Sequence, residues 1–202
     1  MMRNKHFYAM LSHHLWFMKL MSFCTTCGHK TIEKIPLGDQ KIRKVCTHCA
    51  TIHYVNPKVI CGSLVLWDNK VLLCRRAIEP RYGLWTLPAG YMELQETMAQ
   101  GAARETREEA EAEVSIGELY CMYDIPRIGQ IYVLFKSTLI DGQFGAGDET
   151  IESRLFEEHE IPWGDLAFPS VERTLRHYFA DQKTGSFPMH LETLGSRLDH
   201  TG

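Results

Sequence analysis

The sequence predicts an α+β fold, strands layered around one central and one terminal helix, with a small cysteine-rich unit in front. Three observations carry this reading. Strand-like runs rich in β-branched and aliphatic residues recur at 59–67, 70–76, 118–124 and 130–140. An Ala- and Glu-rich segment ending at Ala110 and an apolar one over 168–181 have helical period. Four cysteines stand as two C-x-x-C pairs. A chain of 202 residues holds one core of about 100 to 150 residues plus an appendage.

Residues 1–21 form an N-terminal extension. It mixes Arg3, Lys5, His13, His14 and Lys19 with aromatics and methionines, and it lacks both an uninterrupted apolar core and a small-residue cleavage site. It is therefore a poor signal peptide. Met21 stands as an alternative start; a short helix packing on a partner subunit, as in a homodimer, is the other use of the segment. His6, His13 and His14 have no partners that would complete a metal site.

Residues 22–55 carry the cysteine pairs Cys24/Cys27 and Cys46/Cys49, and eighteen residues separate Cys27 from Cys46. This is the ligand spacing of a four-thiolate zinc ribbon. Each pair can aim two thiolates at one tetrahedral ion, and Gly28 follows the first pair where a tight turn is useful. Four protein ligands leave no place for water, so the Zn²⁺ is structural. His29 and His48 lie beside a complete set and are bystanders. Redox disulfides are the competing use, and the lack of a secretory signal argues against them.

Residues 56–182 hold the larger domain, and 183–202 a polar tail, loosely ordered beyond Phe187. Asp68-Asn69 joins the first two runs with a two-residue hairpin signal. Leu87-Pro88-Ala89-Gly90 leads toward the central helix, which opens with Thr97 and Gln100 at capping-box spacing. Ala99, Ala102, Ala103, Thr106 and Ala110 form a stripe of small residues that can press on a sheet. Away from it, Glu105, Glu108 and Glu109 fall at i, i+3 and i+4, within about 100° of one another. Such a face repels itself: at roughly 4 Å and an effective dielectric of about 20, each pair costs on the order of 4 kcal/mol. A hard, oxygen-preferring divalent cation, Mg²⁺ first and Mn²⁺ second, converts that penalty into binding energy. The terminal helix has Pro169 near its start and Val171, Leu175, Tyr178 and Phe179 at helical spacing.

Lys and Arg number 22 against 25 Asp and Glu, a net charge of −3, and this balance does not point to a nucleic-acid surface. Of seven cysteines, Cys61, Cys74 and Cys121 lie in apolar runs as small hydrophobes, and a reducing cytoplasm is the expected compartment. No run reaches the roughly 18 apolar residues that span a bilayer. A binding module is the competing class, since Lys30, Lys34, Lys41, Arg43 and Lys44 give the ribbon a basic cast suited to an RNA or protein partner. The intact carboxylate face favours an enzyme.

The spacing Gly90-x5-Glu96-x7-Arg104-Glu105-Thr106-x-Glu108-Glu109 resembles the Nudix box, the signature of hydrolases that cut a nucleoside diphosphate linked to another group. The similarity extends over residues 22–182 and includes the approach at 83–90. Two positions depart: Glu111 stands where the family usually has Gly, and Thr106 where a larger aliphatic is usual. The first predicts a longer or differently shaped helix end, and neither removes a metal-facing group. The resemblance implies the Nudix α/β/α sandwich. It also implies that Glu105 and Glu109 bind Mg²⁺ or Mn²⁺ and that Glu108 is a further ligand or positions the water. Arg104 and Glu96 become an orienting pair, with the Ala89 carbonyl an extra ligand. Metal ions at such a site neutralise phosphate oxygens, polarise phosphorus and lower the pKa of a bound water. Family members often take a general base from a loop outside the box; here residues 147–154 offer Glu152 first and Glu149 second.

A ribbon before the box is also found in NADH pyrophosphatases, but their Ser-Gln-Pro-Trp-Pro-Phe-Pro-like segment after the box is missing. Asp124-Ile125-Pro126-Arg127-Ile128-Gly129-Gln130-Ile131-Tyr132 stands there instead. That stretch, with Leu73-Cys74-Arg75-Arg76, residues 83–91 and Glu160-Ile161-Pro162, is similar to plant-type FAD and ADP-ribose pyrophosphatases. The implied small-molecule substrates are FAD, cut to FMN and AMP, and ADP-ribose, cut to AMP and ribose 5-phosphate, with NADH as runner-up. Trp85, Tyr91 and Tyr132 are candidates for a flat wall against a base. Arg76 and Arg127 are the cationic substrate-binding candidates in the same segments.

Overall fold

The computed structural model describes residues 21–195, so the expectations for residues 1–20 lie outside the described residues. The chain divides after Pro57 into two compact units. In the first, β1 (Thr31–Lys34), β2 (Arg43–Cys46) and β3 (Ile52–His53) form an antiparallel sheet. Val45, Cys24 and Cys46 are its buried apolar residues.

In the second unit, β4 (Lys58–Trp67) and β5 (Lys70–Arg76) are joined at Asp68 and Asn69, whose φ angles are 46° and 64°. Positive φ at both positions is the hairpin geometry that Asn and Asp tolerate best. There follow β6 (Trp85–Thr86), β7 (Ala89–Tyr91), α1 (Met98–Ala110), β8 (Val114–Ile125), β9 (Gln130–Leu139), β10 (Thr150–Phe156), α2 (Pro169–Thr184) and β11 (His190–Thr193). They build an eight-stranded mixed sheet in the order β10-β5-β4-β9-β8-β11, with β6 beside β5 and β7 beside β4. The pairs β4/β9 and β8/β11 are parallel.

Successive side chains of a strand point to opposite faces, and β4 and β5 use both. Leu64, Val71 and Leu73 join one core with Val171, Leu175, Tyr178 and Phe179 of α2. Val65, Leu72 and Cys74 join another with Ala110 of α1 and Leu139. The sheet therefore lies between the two helices, the α/β/α layering that the resemblance to the Nudix family implies. None of the helices among the described residues is long and apolar enough to cross a membrane.

Two stretches differ from the expectations. The acidic segment 147–154 becomes strand from Thr150, an edge strand on β5 whose exposed or half-exposed Glu152 and Arg154 hide the alternation. Charge is what edge strands commonly carry. The polar end is not loosely ordered throughout, because His190–Thr193 pairs with β8. Polar contacts hold it: His190 to Asp181 at 2.8 Å, His177 to Glu192 at 2.5 Å and Thr193 Oγ1 to Asp124 at 2.8 Å.

Candidate active site

The start of α1 is fixed by a reciprocal pair. Gln100 N–H donates to Thr97 Oγ1 at 3.2 Å and Thr97 N–H donates to Gln100 Oε1 at 2.8 Å, the capping box that the spacing predicts. Ala102, Thr106 and Ala110 are buried, and the Thr106 hydroxyl, where an aliphatic is usual, donates back to the Ala102 carbonyl at 2.7 Å. The expectation of a longer helix end is corrected. Glu111 itself takes the left-handed conformation (φ 46°, ψ 36°), so the helix stops at Ala110 as it would at a glycine.

A loop closes on that end. The N–H groups of Gly145 and Gly147 donate to the carbonyls of Ala110 and Glu109 at 2.7 and 3.1 Å, satisfying groups the helix leaves unpaired. A Cβ at Gly147 would lie 1.7 Å from the Glu108 carbonyl oxygen, so only glycine permits this approach. The contact carries Asp148 and Glu149 to a cleft of about 760 Å³, lined also by Arg76, Ile78, Ala89–Tyr91, Arg104 and the three box carboxylates.

Arg104 is the hub of that cleft. Its Nε and Nη2 clasp Glu96 at 3.1 and 2.8 Å, its Nη1 reaches Glu105 at 2.7 Å and Glu108 at 3.0 Å, and its Nη2 also donates to the Tyr91 carbonyl at 3.0 Å. The guanidinium, helped by the Glu93 N–H, holds Glu96 down to about 2. Glu105 is pushed above the usual carboxylate range by burial, with Arg104 opposing. Glu109 is only 9% exposed. Burial pushes it up to about 8, against a hydrogen bond from the Ala89 N–H and with neighbouring Glu105 adding to the rise. A Cβ at Gly90 would lie 2.3 Å from the Glu105 carboxyl, so a side chain there would displace that carboxylate from its present position.

The structure brings some expected residues together and leaves others apart. Glu149 lines the cleft, whereas Glu152 on β10 is paired with Arg75 at 3.0 Å and is not among the lining residues. Arg76 and Tyr91 line it; Arg76 is steadied by the Pro80 carbonyl at 3.0 Å and the Phe168 ring at 5.2 Å. Trp85 instead packs edge-on against Phe156 at 4.9 Å, and Tyr132 packs against the same core. Burial pushes the Tyr132 hydroxyl up to about 12. Arg127 lies in the 3-10 turn Pro126–Ile128, outside the lining. Sequence reasoning missed Ile78 and Asp148 as lining residues; the spacing Gly145-Ala146-Gly147 before the acidic run was the available signal for the latter.

In the small unit the four sulfurs of Cys24, Cys27, Cys46 and Cys49 lie within 4.8 Å of one another. Backbone N–H groups of Thr26, His48 and Cys49 point at sulfur, from 3.3 to 3.4 Å. Cys24 is lowered to about 5, burial being outweighed by backbone N–H groups of Thr26 and Cys27 and by His53. The His29 and His48 rings lie 4.1 Å apart, tilted by 36°, and stand outside the four-sulfur group.

Comparison with known proteins fits this geometry. A family model described as Nudix N-terminal, a zinc ribbon, matches residues 22–55, and the NUDIX domain model matches residues 58–182. A crystal structure of a NUDIX hydrolase from Nitrosomonas europaea is 52% identical, covers 86% of this chain and 99% of its own, and superposes with a TM-score of 0.84. An ADP-ribose pyrophosphatase of Methanocaldococcus jannaschii is 31% identical over 62% of this chain and 75% of its own length. A NAD-capped RNA hydrolase of Haemophilus influenzae is 35% identical over 46% of this chain, but the match spans only 34% of that protein. The carboxylate helix and the cysteine cluster each fall within a matched segment, and the chain is thus a member of the Nudix hydrolase family.

Proposed function

We propose that this pyrophosphohydrolase acts on ADP-ribose first, releasing AMP and ribose 5-phosphate, with Glu105, Glu109 and Glu108 holding Mg²⁺ or Mn²⁺. The observation that carries the metal reading is Glu109, buried beside Glu105, for which no ion pair is found among the described residues. An oxygen donor set of this kind fits a hard divalent cation. When bound, the cation neutralises phosphate oxygens and activates water. The Ala89 carbonyl, on the strand whose N–H already meets Glu109, is a further ligand in this reading. Arg104 and Glu96 keep the carboxylates in place, Arg76 meets a phosphate, and Glu149 on its glycine-docked loop takes the general-base role ahead of Glu152. Four clustered thiols suit a structural Zn²⁺.

The relatives described above carry ADP-ribose and NAD in their names, which puts ADP-ribose ahead of FAD. A second reading follows from the NAD-capped RNA hydrolases: NADH, or an RNA bearing such a cap. It would bring in a nucleic acid, against the expectation from composition. The test is kcat/KM for ADP-ribose, FAD, NADH and an NAD-capped oligonucleotide under one Mg²⁺ concentration. ADP-ribose is expected to lead and NADH to fall at least tenfold lower, equivalent to about 1.4 kcal/mol of transition-state binding. A preference for NADH or the capped oligonucleotide overturns the order.

A further inference from the structure

His53 closes β3 in the small unit, and its burial is unusual for a polar side chain. It is only 9% exposed, and its Nε2 is the one buried side-chain nitrogen or oxygen among the described residues without a hydrogen-bond partner. Leaving a buried donor or acceptor unpaired is costly, a cost that an apolar residue of similar shape would not carry. Register shows which face the ring takes. His53 stands opposite Lys44 on β2, and alternate residues of a strand share a face, so His53 lies on the face of Cys46 and Ile52 on the other. The sulfur that the ring meets is that of Cys24: burial raises this thiol, while the Thr26 and Cys27 N–H groups and the His53 side chain bring it down.

The four sulfurs differ in what can serve them. Cys27 is half-buried and Cys49 exposed, so water can reach both, whereas Cys24 and Cys46 are buried and depend on donors from the protein. Cys46 accepts from the N–H groups of His48 and Cys49 at 3.3 and 3.4 Å. Cys24 accepts from the Thr26 N–H at 3.4 Å, and the His53 ring stands beside it. Four thiolates on one Zn²⁺ leave an excess of negative charge, which N–H groups aimed at sulfur offset. A thiol is a weak acceptor, and an ionised one is strong. Direct ligation by His53 would have to displace a cysteine, yet the four sulfurs already converge within 4.8 Å of one another. We infer that His53 is a positioning residue of the zinc site, its Nε2–H donating to the Cys24 thiolate and holding that sulfur toward the metal. This rests on the zinc reading of the four cysteines and adds a residue that sets how tightly they hold the ion.

The test uses the full chain as wild type, His53→Leu and His53→Gln, the last of which keeps an N–H donor. Zinc affinity is read by competition with a chelator, and the state of the sulfurs by their charge-transfer band after Co²⁺ replaces zinc. His53→Leu is expected to bind zinc at least about tenfold more weakly and to move the band to lower energy, because a sulfur without its donor gives up charge more readily. His53→Gln recovers most of both. Equal losses in the two variants, or a band that does not move in His53→Leu, overturn the assignment. The zinc-loaded wild type decides it even where a variant fails to fold: nitrogen NMR is expected to place the ring proton of His53 on Nε2. A proton on Nδ1 alone overturns the donor role, and so does a ring nitrogen bonded to the metal, since His53 is then a ligand in place of a cysteine. Wild-type protein that takes up neither Zn²⁺ nor Co²⁺ sinks the zinc reading and the donor role with it. Metal held equally tightly by wild type and His53→Leu sinks the donor role alone.

Discussion

Glu109 combines two properties that a surface carboxylate does not have together. It is buried to 9% exposure and pushed up to about 8, while Arg104 serves Glu96, Glu105 and Glu108. Replacing it with Gln removes the charge that a divalent ion needs and the penalty of burying that charge. Glu109→Gln should therefore lower kcat about 100-fold or more while the melting temperature holds or rises. Near-wild-type turnover at limiting Mg²⁺ would sink the assignment. The two base candidates separate in the same way: Glu149→Gln should cost at least about 100-fold in kcat, the low end of general acid–base effects, and Glu152→Gln should stay within about threefold. The reverse order in a side-by-side kinetic comparison would return the role to Glu152. At this scale the sequence was legible where spacing alone defines a face, as for Glu105, Glu108 and Glu109. It was not legible for Trp85 and Tyr132, because an aromatic residue reads the same whether it packs in a core or lines a cleft.

Element ends show where a residue and its conformation disagree. Glu111 closes α1 at φ 46°, a region that costs a residue with a Cβ roughly 1 kcal/mol or more, and its side chain lies against the loop at Gly145. Glu111→Gly relieves the strain but adds chain entropy to the unfolded state, so the net gain should be about 0.5 kcal/mol, read as a small rise in urea midpoint. A clear loss of stability would mean that the Glu111 contact with the loop outweighs the strain. At the other end of the fold, Asp181 accepts from Tyr120 at 2.7 Å and pairs with His190 at 2.8 Å. Burial works against its charge, yet the His190 and Tyr120 hydrogen bonds hold it below the usual range. For a lowered carboxyl, the added stability is present above the unfolded pKa and lost as pH falls through the folded one. Asp181→Asn should thus cost about 1 kcal/mol at pH 7, with the gap to wild type closing below about pH 4. A gap that persists at lower pH would assign the cost to packing. The strands with clear alternation or continuous apolar runs were legible, as was the capped helix. β10 and β11 were not, because edge strands mix charged and apolar residues and their pairing partners are far away in the chain.

At the scale of the molecule, two units with separate sheets follow from two different sources of stability. The larger has apolar cores on both faces of its sheet; periodicity made its strands and helices legible, while the sandwich layering came from the family resemblance. The smaller has a three-stranded sheet, with Ile32, Ile35, Leu37, Ile42 and Tyr54 exposed, and little apolar area to hold it. A chain of so few residues ordinarily needs a metal or disulfides to stay folded. Cysteine spacing made the site legible before any strand could be placed around it, since the ligand set constrains the fold more tightly than its weak local propensities do. Cys46→Ser removes one of four converging sulfurs and should release zinc, since structural zinc contributes on the order of 10 kcal/mol of apparent binding energy in small finger peptides. Amide exchange should then speed up across residues 22–55, while exchange within 58–182 and the affinity for Mg²⁺ at the box change little. Elemental analysis of freshly purified wild-type protein should find about one zinc per chain, as four thiolates closing one tetrahedral site require. Protein purified without zinc, or slow exchange across residues 22–55 that survives Cys46→Ser, would show that the small unit is held by something other than the metal.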